Sequence, residues 1–296
     1  IANRTLVPIA NKLANQRHLA SIRDGMVVAI PLSILGGICL IISTPPFKPE
    51  TLGDWGFISD MLLGWYNWAQ ANKAMLQLPY NMTMALMGLF IAFAIAYNLA
   101  KRYNMAPLNA SIVSTAVFLM VSAPVSKAVP VEIISEGTAV ADMLGQTGAF
   151  IPTTYLDAKG IFTAIIVAIG CVEMMQFLLK KNIRFKLPEG VPPAVAKSFS
   201  ALIPGIVILT SLFVIRCVFG IEIPELVIKM FSPLVFALNS YPGILMYMVV
   251  SQLLWCVGIH GQSVLNTVGT PIFLTYITAN TEAFNAGQPI PYITAT

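Results

Sequence analysis

The chain has 296 residues, of which 57% are hydrophobic and only 10% charged, against roughly 45–50% and about 25% in soluble domains. With a mean hydropathy of +0.78, the simplest solvent for so much apolar surface is a lipid bilayer, and a soluble enzyme is all but excluded. The formal net charge of +4, from 17 Lys and Arg against 13 Asp and Glu, is too small and dispersed for a nucleic-acid footprint, so no nucleic-acid partner is expected.

The first 25 residues form a segment of their own. Leu6, Ile9, Ala10 and Leu13 repeat at helical spacing opposite Arg4, Asn11, Lys12, Asn15 and Gln16, which predicts an amphipathic helix on the cytoplasmic interface. It serves either as an anchor or docking helix, or as a polar lead-in packed on the inner loops. His18 has no polar company in the sequence and reads as a surface residue. The opening residues lack the apolar core and cleavage pattern of a secretory signal, so insertion is expected to rely on the spans themselves.

Six apolar stretches follow, at about 26–42, 80–99, 107–123, 160–179, 200–220 and 243–258, each read as a helix crossing or nearly crossing a core of about 30 Å. The predicted fold is therefore all-α: a polytopic membrane protein of six or more spans, with interfacial helices and room for re-entrant segments. Residues 43–79 and 124–159, rich in Pro, Gly, Trp and acids, read as long polar connections. Pro224 to Leu238 is a second amphipathic stretch, and Pro271 to Ala279 is apolar but too short to cross alone. With the N-terminus inside, eleven Lys and Arg fall on inner segments and five on outer ones, which favours a cytoplasmic N-terminus.

Ionisable groups inside spans are costly and mark places to look for function. Glu173 lies roughly 20 Å in from the outer end of the fourth span at about 1.5 Å per residue, where it either lines a cavity or faces the inner interface near Lys180. Arg216 lies about 6 Å from the outer end of the fifth by the same count, and is expected to snorkel outward.

The richest segment is Ser251 to Asn266, SQLLWCVGIHGQSVLN. It holds Gln252, Trp255, His260, Gln262, Ser263 and Asn266, with Gly258 and Gly261 flanking the histidine. Glycines there weaken a helix and let the backbone open toward a ligand. An indole face suits the C–H groups of a sugar ring, and the amides and imidazole suit its hydroxyls; a histidine satisfied in a tight helix contact is the competing reading. No nucleophile elbow, zinc pair or P-loop is present. The four cysteines, Cys39, Cys171, Cys217 and Cys256, lie in apolar stretches without metal or redox spacing, so neither metal nor cofactor is expected.

Three ordered stretches carry a resemblance: LVPIANKLANQRHLASIRDGMVVAIPLSILGG from Leu6 to Gly37, LPEGVPPAVAKSFSALIPG from Leu187 to Gly205, and LLWCVGIHGQSVLNTVGTPI from Leu253 to Ile272, followed by NTEAF from Asn280. Through most of its length the chain resembles the enzyme IIC membrane component of the bacterial phosphoenolpyruvate-dependent sugar phosphotransferase system, lactose/cellobiose/diacetylchitobiose family. The resemblance implies a multi-pass plasma-membrane homodimer that binds a β-linked disaccharide, diacetylchitobiose or cellobiose first among them. The sugar's 6-hydroxyl is then phosphorylated by a phospho-IIB protein, the donor being a phosphocysteine on that partner. It also implies a five-span dimerisation domain over 26–220 and the start of a sugar-binding domain over 221–296. His260 matches the histidine of the family's GIHG motif, which hydrogen-bonds the sugar near the reacting hydroxyl. Whether this subunit counts as an enzyme in its own right is left open.

Two features depart from the family. Gln262 stands where Asn is expected after GIHG, and the N-E-P motif whose glutamate works with the histidine is absent from these 296 residues. Glu282 belongs to NTEAF and is no substitute, so these residues are expected to be the N-terminal two thirds of a transporter and not to transport alone. Two other readings stay open: an ion-coupled carrier, for which Glu173 and His260 are a thin relay, and a membrane subunit that binds sugar without moving it.

Overall fold

A computed structural model describes residues 16–47, 49, 52–53, 55–122, 153–185, 188, 199–256 and 261–293. The described residues are helical, with no strand among them.

The first span is longer than its apolar run. Helix α1 (Arg17–Met26) passes through a turn at Val27 and Val28 into α2 (Ala29–Ser43), together 27 residues long with a mean hydropathy of 2.5 over the most apolar window. Of the expected amphipathic segment, residues 1–15 lie outside the described residues, and residues 17–25 form the first part of this helix. It buries Ala20, Ile22, Gly25 and Met26 against its neighbours. Ile30, Ile34, Leu35, Ile38 and Ile41 of α2 are all more than half exposed, as suits a face turned to lipid.

The expected polar connection over 43–79 is largely helical, a correction to the composition reading. It contains α3 (Phe57–Ala71), α4 (Lys73–Leu76) and α5 (Leu78–Met82). Met61, Leu62, Trp65 and Trp68 recur at helical spacing in α3, and the Trp65 indole donates to the Ile42 carbonyl at 3.1 Å.

Helix α6 (Met87–Arg102) is the central post. It packs on α1, on α7 (Pro107–Ser122) and on α8 (Ile161–Lys180). Ile91, Ala92, Ile95, Ala96, Leu99 and Ala100 are fully buried along it, facing small residues such as Ala110, Ala164 and Ala168. Small residues let helix backbones approach where lipid supplies no hydrophobic drive between helices. Gly88 shows how close: a Cβ there would lie 2.9 Å from the carbonyl oxygens of Leu156 and Asp157, and its N–H donates to the Leu156 carbonyl at 2.8 Å.

Beyond α8 come α9 (Leu202–Phe213), a π-turn over Val214–Val218, and α10 (Ile223–Leu238), which bends by 86° from the helix before it. Helices α11 (Tyr241–Cys256) and α12 (Gly261–Asn285) complete the described helices. The short apolar segment from Pro271 thus lies inside a 25-residue helix. A second, smaller core of Phe162, Val227, Ile272 and Tyr276 ties α12 to α8 and α10, with Phe162 stacked on Phe231 at 4.4 Å. Among the described residues, three helices are long and apolar enough to cross a membrane, or four if the bent pair forms one span.

Arg216 does not snorkel. It is 2% exposed in the π-turn, donates to the Met120 carbonyl at the end of α7, and lies 3.9 Å from the Glu222 carboxylate. The bend after residue 218 brings Glu222 back toward the helix end, an effect that counting along a straight span misses.

Candidate functional site

The residues singled out between 252 and 266 gather where α11 ends and α12 begins. Gln252 is exposed on α11, Trp255 sits in the last turn of that helix, and Gln262 sits in the first turn of α12. His260 lies outside the described residues. Asn266 is half-buried one turn further along α12, and its Oδ1 accepts from the Tyr247 hydroxyl at 3.2 Å. Tyr247 was not anticipated. It meets Phe273 edge-on at 5.5 Å and crosses α12 at Gly269, where a Cβ would come within 2.6 Å of its hydroxyl. A phenol inside an apolar span, five residues ahead of Gln252, was the signal for it.

A second polar group occupies the far end of α12, about 18 Å along the helix from Asn266 at about 1.5 Å per residue. A cavity of about 570 Å³ opens there, lined by Tyr80 and Asn81 of α5, by Thr153, Thr154, Asp157 and Lys159 ahead of and at the start of α8, and by Thr278 and Glu282 of α12. Lys159 Nζ donates to Glu282 Oε2 at 2.7 Å. Asp157 is 7% exposed, and its Oδ1 accepts from the Lys159 backbone N–H at 2.9 Å, capping the 3-10 turn over Ala158–Gly160. Burial pushes the Asp157 carboxyl up to about 7; the Glu282 carboxylate adds to this, and Lys159 opposes it. The close approach at Gly88 seats this segment on α6, and Gly160, where a Cβ would meet the Tyr155 carbonyl oxygen at 1.8 Å, lets it turn into the helix.

A third cluster lies at the opposite end of α8. His18 Nε2 sits 2.8 Å from Glu173 Oε1, the Tyr103 hydroxyl donates to the same oxygen, and the Arg17 guanidinium lies 5.3 Å over the Tyr103 ring. His18 is thus a partnered residue rather than a plain surface one. Glu173 thus faces α1 and the end of α6, where His18 and Tyr103 hold its carboxylate. Among the described residues no group of His, Cys, Asp and Glu has the arrangement of a metal site.

Comparison with known proteins places the whole fold. The family described as the phosphotransferase system EIIC component matches residues 23–296. The lichenan permease IIC component of Bacillus subtilis (strain 168) is 33% identical over 99% of this chain and 62% of its own length. The cellobiose-specific EIIC component of Geobacillus stearothermophilus is 33% identical over 97% of this chain and 61% of its own. The crystal structure of ChbC, the IIC component of the N,N'-diacetylchitobiose-specific system, superposes with a TM-score of 0.79 at 34% identity, covering 98% of this chain and 64% of that one. The chain therefore spans less than two thirds of the length of each of these relatives. The family match over most of the chain and the superposition at this identity agree, and the chain belongs to the EIIC family of the phosphotransferase system.

Proposed function

We propose that this chain forms the scaffold and part of the sugar site of a membrane permease that takes up a β-linked disaccharide, of the cellobiose or diacetylchitobiose class, and presents its 6-hydroxyl to a cytoplasmic phospho-IIB protein. The observation that carries this is the concentration of Gln252, Trp255, His260, Gln262 and Asn266 at the α11–α12 junction of an EIIC chain. A neutral sugar leaves water only where its hydroxyls are matched, because each unmatched buried group costs on the order of 1–3 kcal/mol. These side chains supply donors, acceptors and an aromatic face. In this reading His260, which matches the histidine of the family's GIHG motif, hydrogen-bonds the sugar near the reacting hydroxyl.

The architecture that goes with this reading has six or more spans and a cytoplasmic N-terminus. Residues 26–220 form the dimerisation scaffold of a homodimer, and 221–296 begin the sugar-binding domain. The excess of Lys and Arg on the N-terminal side of the bilayer and the 86° bend before α10 support it, the bend being compatible with an interfacial or re-entrant helix. The test is titration calorimetry of the full-length protein in detergent with cellobiose, diacetylchitobiose and lactose. Saturable binding of one sugar, lost in His260→Ala, is the expected result. Wild-type protein that binds none of the three, or a His260→Ala variant that binds as well as wild type, overturns the assignment.

A further inference from the structure

We infer that the cavity between α5, the start of α8 and the far end of α12 is a second carbohydrate subsite, holding a sugar ring through its hydroxyls. This rests on the proposed function for the class of ligand but places it at residues separate from the α11–α12 junction. Asn266 and Thr278 are twelve positions apart on one helix, about 18 Å along its axis, so one disaccharide seated near Asn266 does not fill both sites.

Three observations point to a ligand there. The cavity measures about 570 Å³, within the range of about 300–1,000 Å³ typical of small-molecule sites. Its lining mixes carboxylates, an ammonium, an amide and hydroxyls with one aromatic ring, from Asp157, Glu282, Lys159, Asn81, Thr153, Thr154 and Tyr80. The Lys159–Glu282 pair at 2.7 Å offsets one acidic charge, which suits a neutral ligand that both donates and accepts better than a bare ion. Finally, Thr278 lines the cavity at 2% exposure, and its hydroxyl makes no hydrogen bond among the described residues. A buried hydroxyl without a partner is costly; a sugar hydroxyl would complete it.

The cavity also has the position expected of a receiving site. It lies at the end of α8 opposite Lys180 and Lys181, the end that the charge bias places outside. Its walls come from both the scaffold and α12, so a sugar bound there touches both parts before reaching His260.

Saturation-transfer NMR on the full-length protein in detergent, with cellobiose, diacetylchitobiose and lactose at millimolar concentration, tests this. In His260→Ala, a weak signal from the sugar ring protons should persist. Adding Thr278→Val should cut it at least about threefold, since affinity follows the lost hydrogen bond. Thr278→Val keeps the shape and removes only an unpaired hydroxyl, so the variant should melt no lower than its parent. Glu282→Gln, which breaks the Lys159 ion pair while keeping the side-chain length, should weaken the signal as well. Wild-type binding that vanishes completely in His260→Ala, or residual binding unchanged by Thr278→Val and Glu282→Gln, overturns the second subsite and leaves the permease reading standing. A wild-type protein silent with all three sugars removes both.

Discussion

Helices α6 and α11 are both 16 residues long and apolar, yet they live in different surroundings. Along α6, Ile91, Ile95 and Leu99 are completely buried, whereas Leu245, Met246, Met248 and Leu253 of α11 are 56–69% exposed. The first is walled in by α1, α7 and α8; the second touches chiefly α10 and α12. Similar hydropathy therefore hides two roles. The helices around α6 complete their own core, and α10 to α12 present an apolar surface to lipid or to further protein while carrying the polar residues of the junction. The chain thus sets a core of small-residue contacts beside a less enclosed set of helices.

The largest effects should separate these two regions. Ile95→Ala removes a fully buried side chain and should cost about 2–5 kcal/mol, the range for large-to-alanine changes in packed interiors. Leu245→Ala, at a position 63% exposed, should cost less than about 0.5 kcal/mol, as surface changes do. Unfolding of the two variants in the same detergent gives the ratio. Equal losses would mean that α11 is as fully packed as α6 in the folded protein.

That contrast marks how far the amino-acid sequence could be read. Apolar runs located α7, α8 and α11 to within two residues, while the run over 80–99 begins seven residues before α6, because hydropathy records what avoids water. It does not record what the chain packs against. Residues 57–71 read as polar because Gly, Asp, Asn and Gln dilute an otherwise helical spacing of aromatic and aliphatic side chains. The apolar run from Pro271 to Ala279 is too short to cross alone, yet it lies inside the 25-residue α12, which runs through Pro271 although proline lacks the N–H that a helix interior uses. The junction residues were legible because they are close in sequence. The far cavity was not: Asn81, Asp157 and Glu282 meet there from positions more than seventy residues apart, and long-range partners leave no local pattern.

A pH series probes the end of the scaffold that meets α12. The Asp157 carboxyl is raised from 3.8 to about 7, so the folded state holds this proton more tightly than the unfolded chain does. Its contribution to stability is complete below about 4, is lost progressively as pH rises toward about 7, and changes no further above that. The melting temperature of the wild type should therefore fall across this window relative to that of Asp157→Asn, which has no proton to lose. Parallel curves for the two proteins would mean that the carboxyl is not buried as the structure places it.

The smallest effect concerns the other end of the same scaffold, where Glu173 joins α8 to α1 through His18 and to the end of α6 through Tyr103. The His18 and Glu173 side chains are 32% and 38% exposed, so water and salt screen their attraction, and the pair should contribute no more than about 1 kcal/mol. A double-mutant cycle with His18→Ala and Glu173→Gln isolates that coupling from the cost of each change alone. A coupling that shrinks with added salt identifies a screened ion pair. One that survives molar salt identifies a hydrogen bond from an uncharged imidazole to the carboxylate, rather than an ion pair, as the joint between α1 and α8. Zero coupling under both conditions would leave the buried face of α1, from Ala20 to Met26, as what holds the first helix to the scaffold.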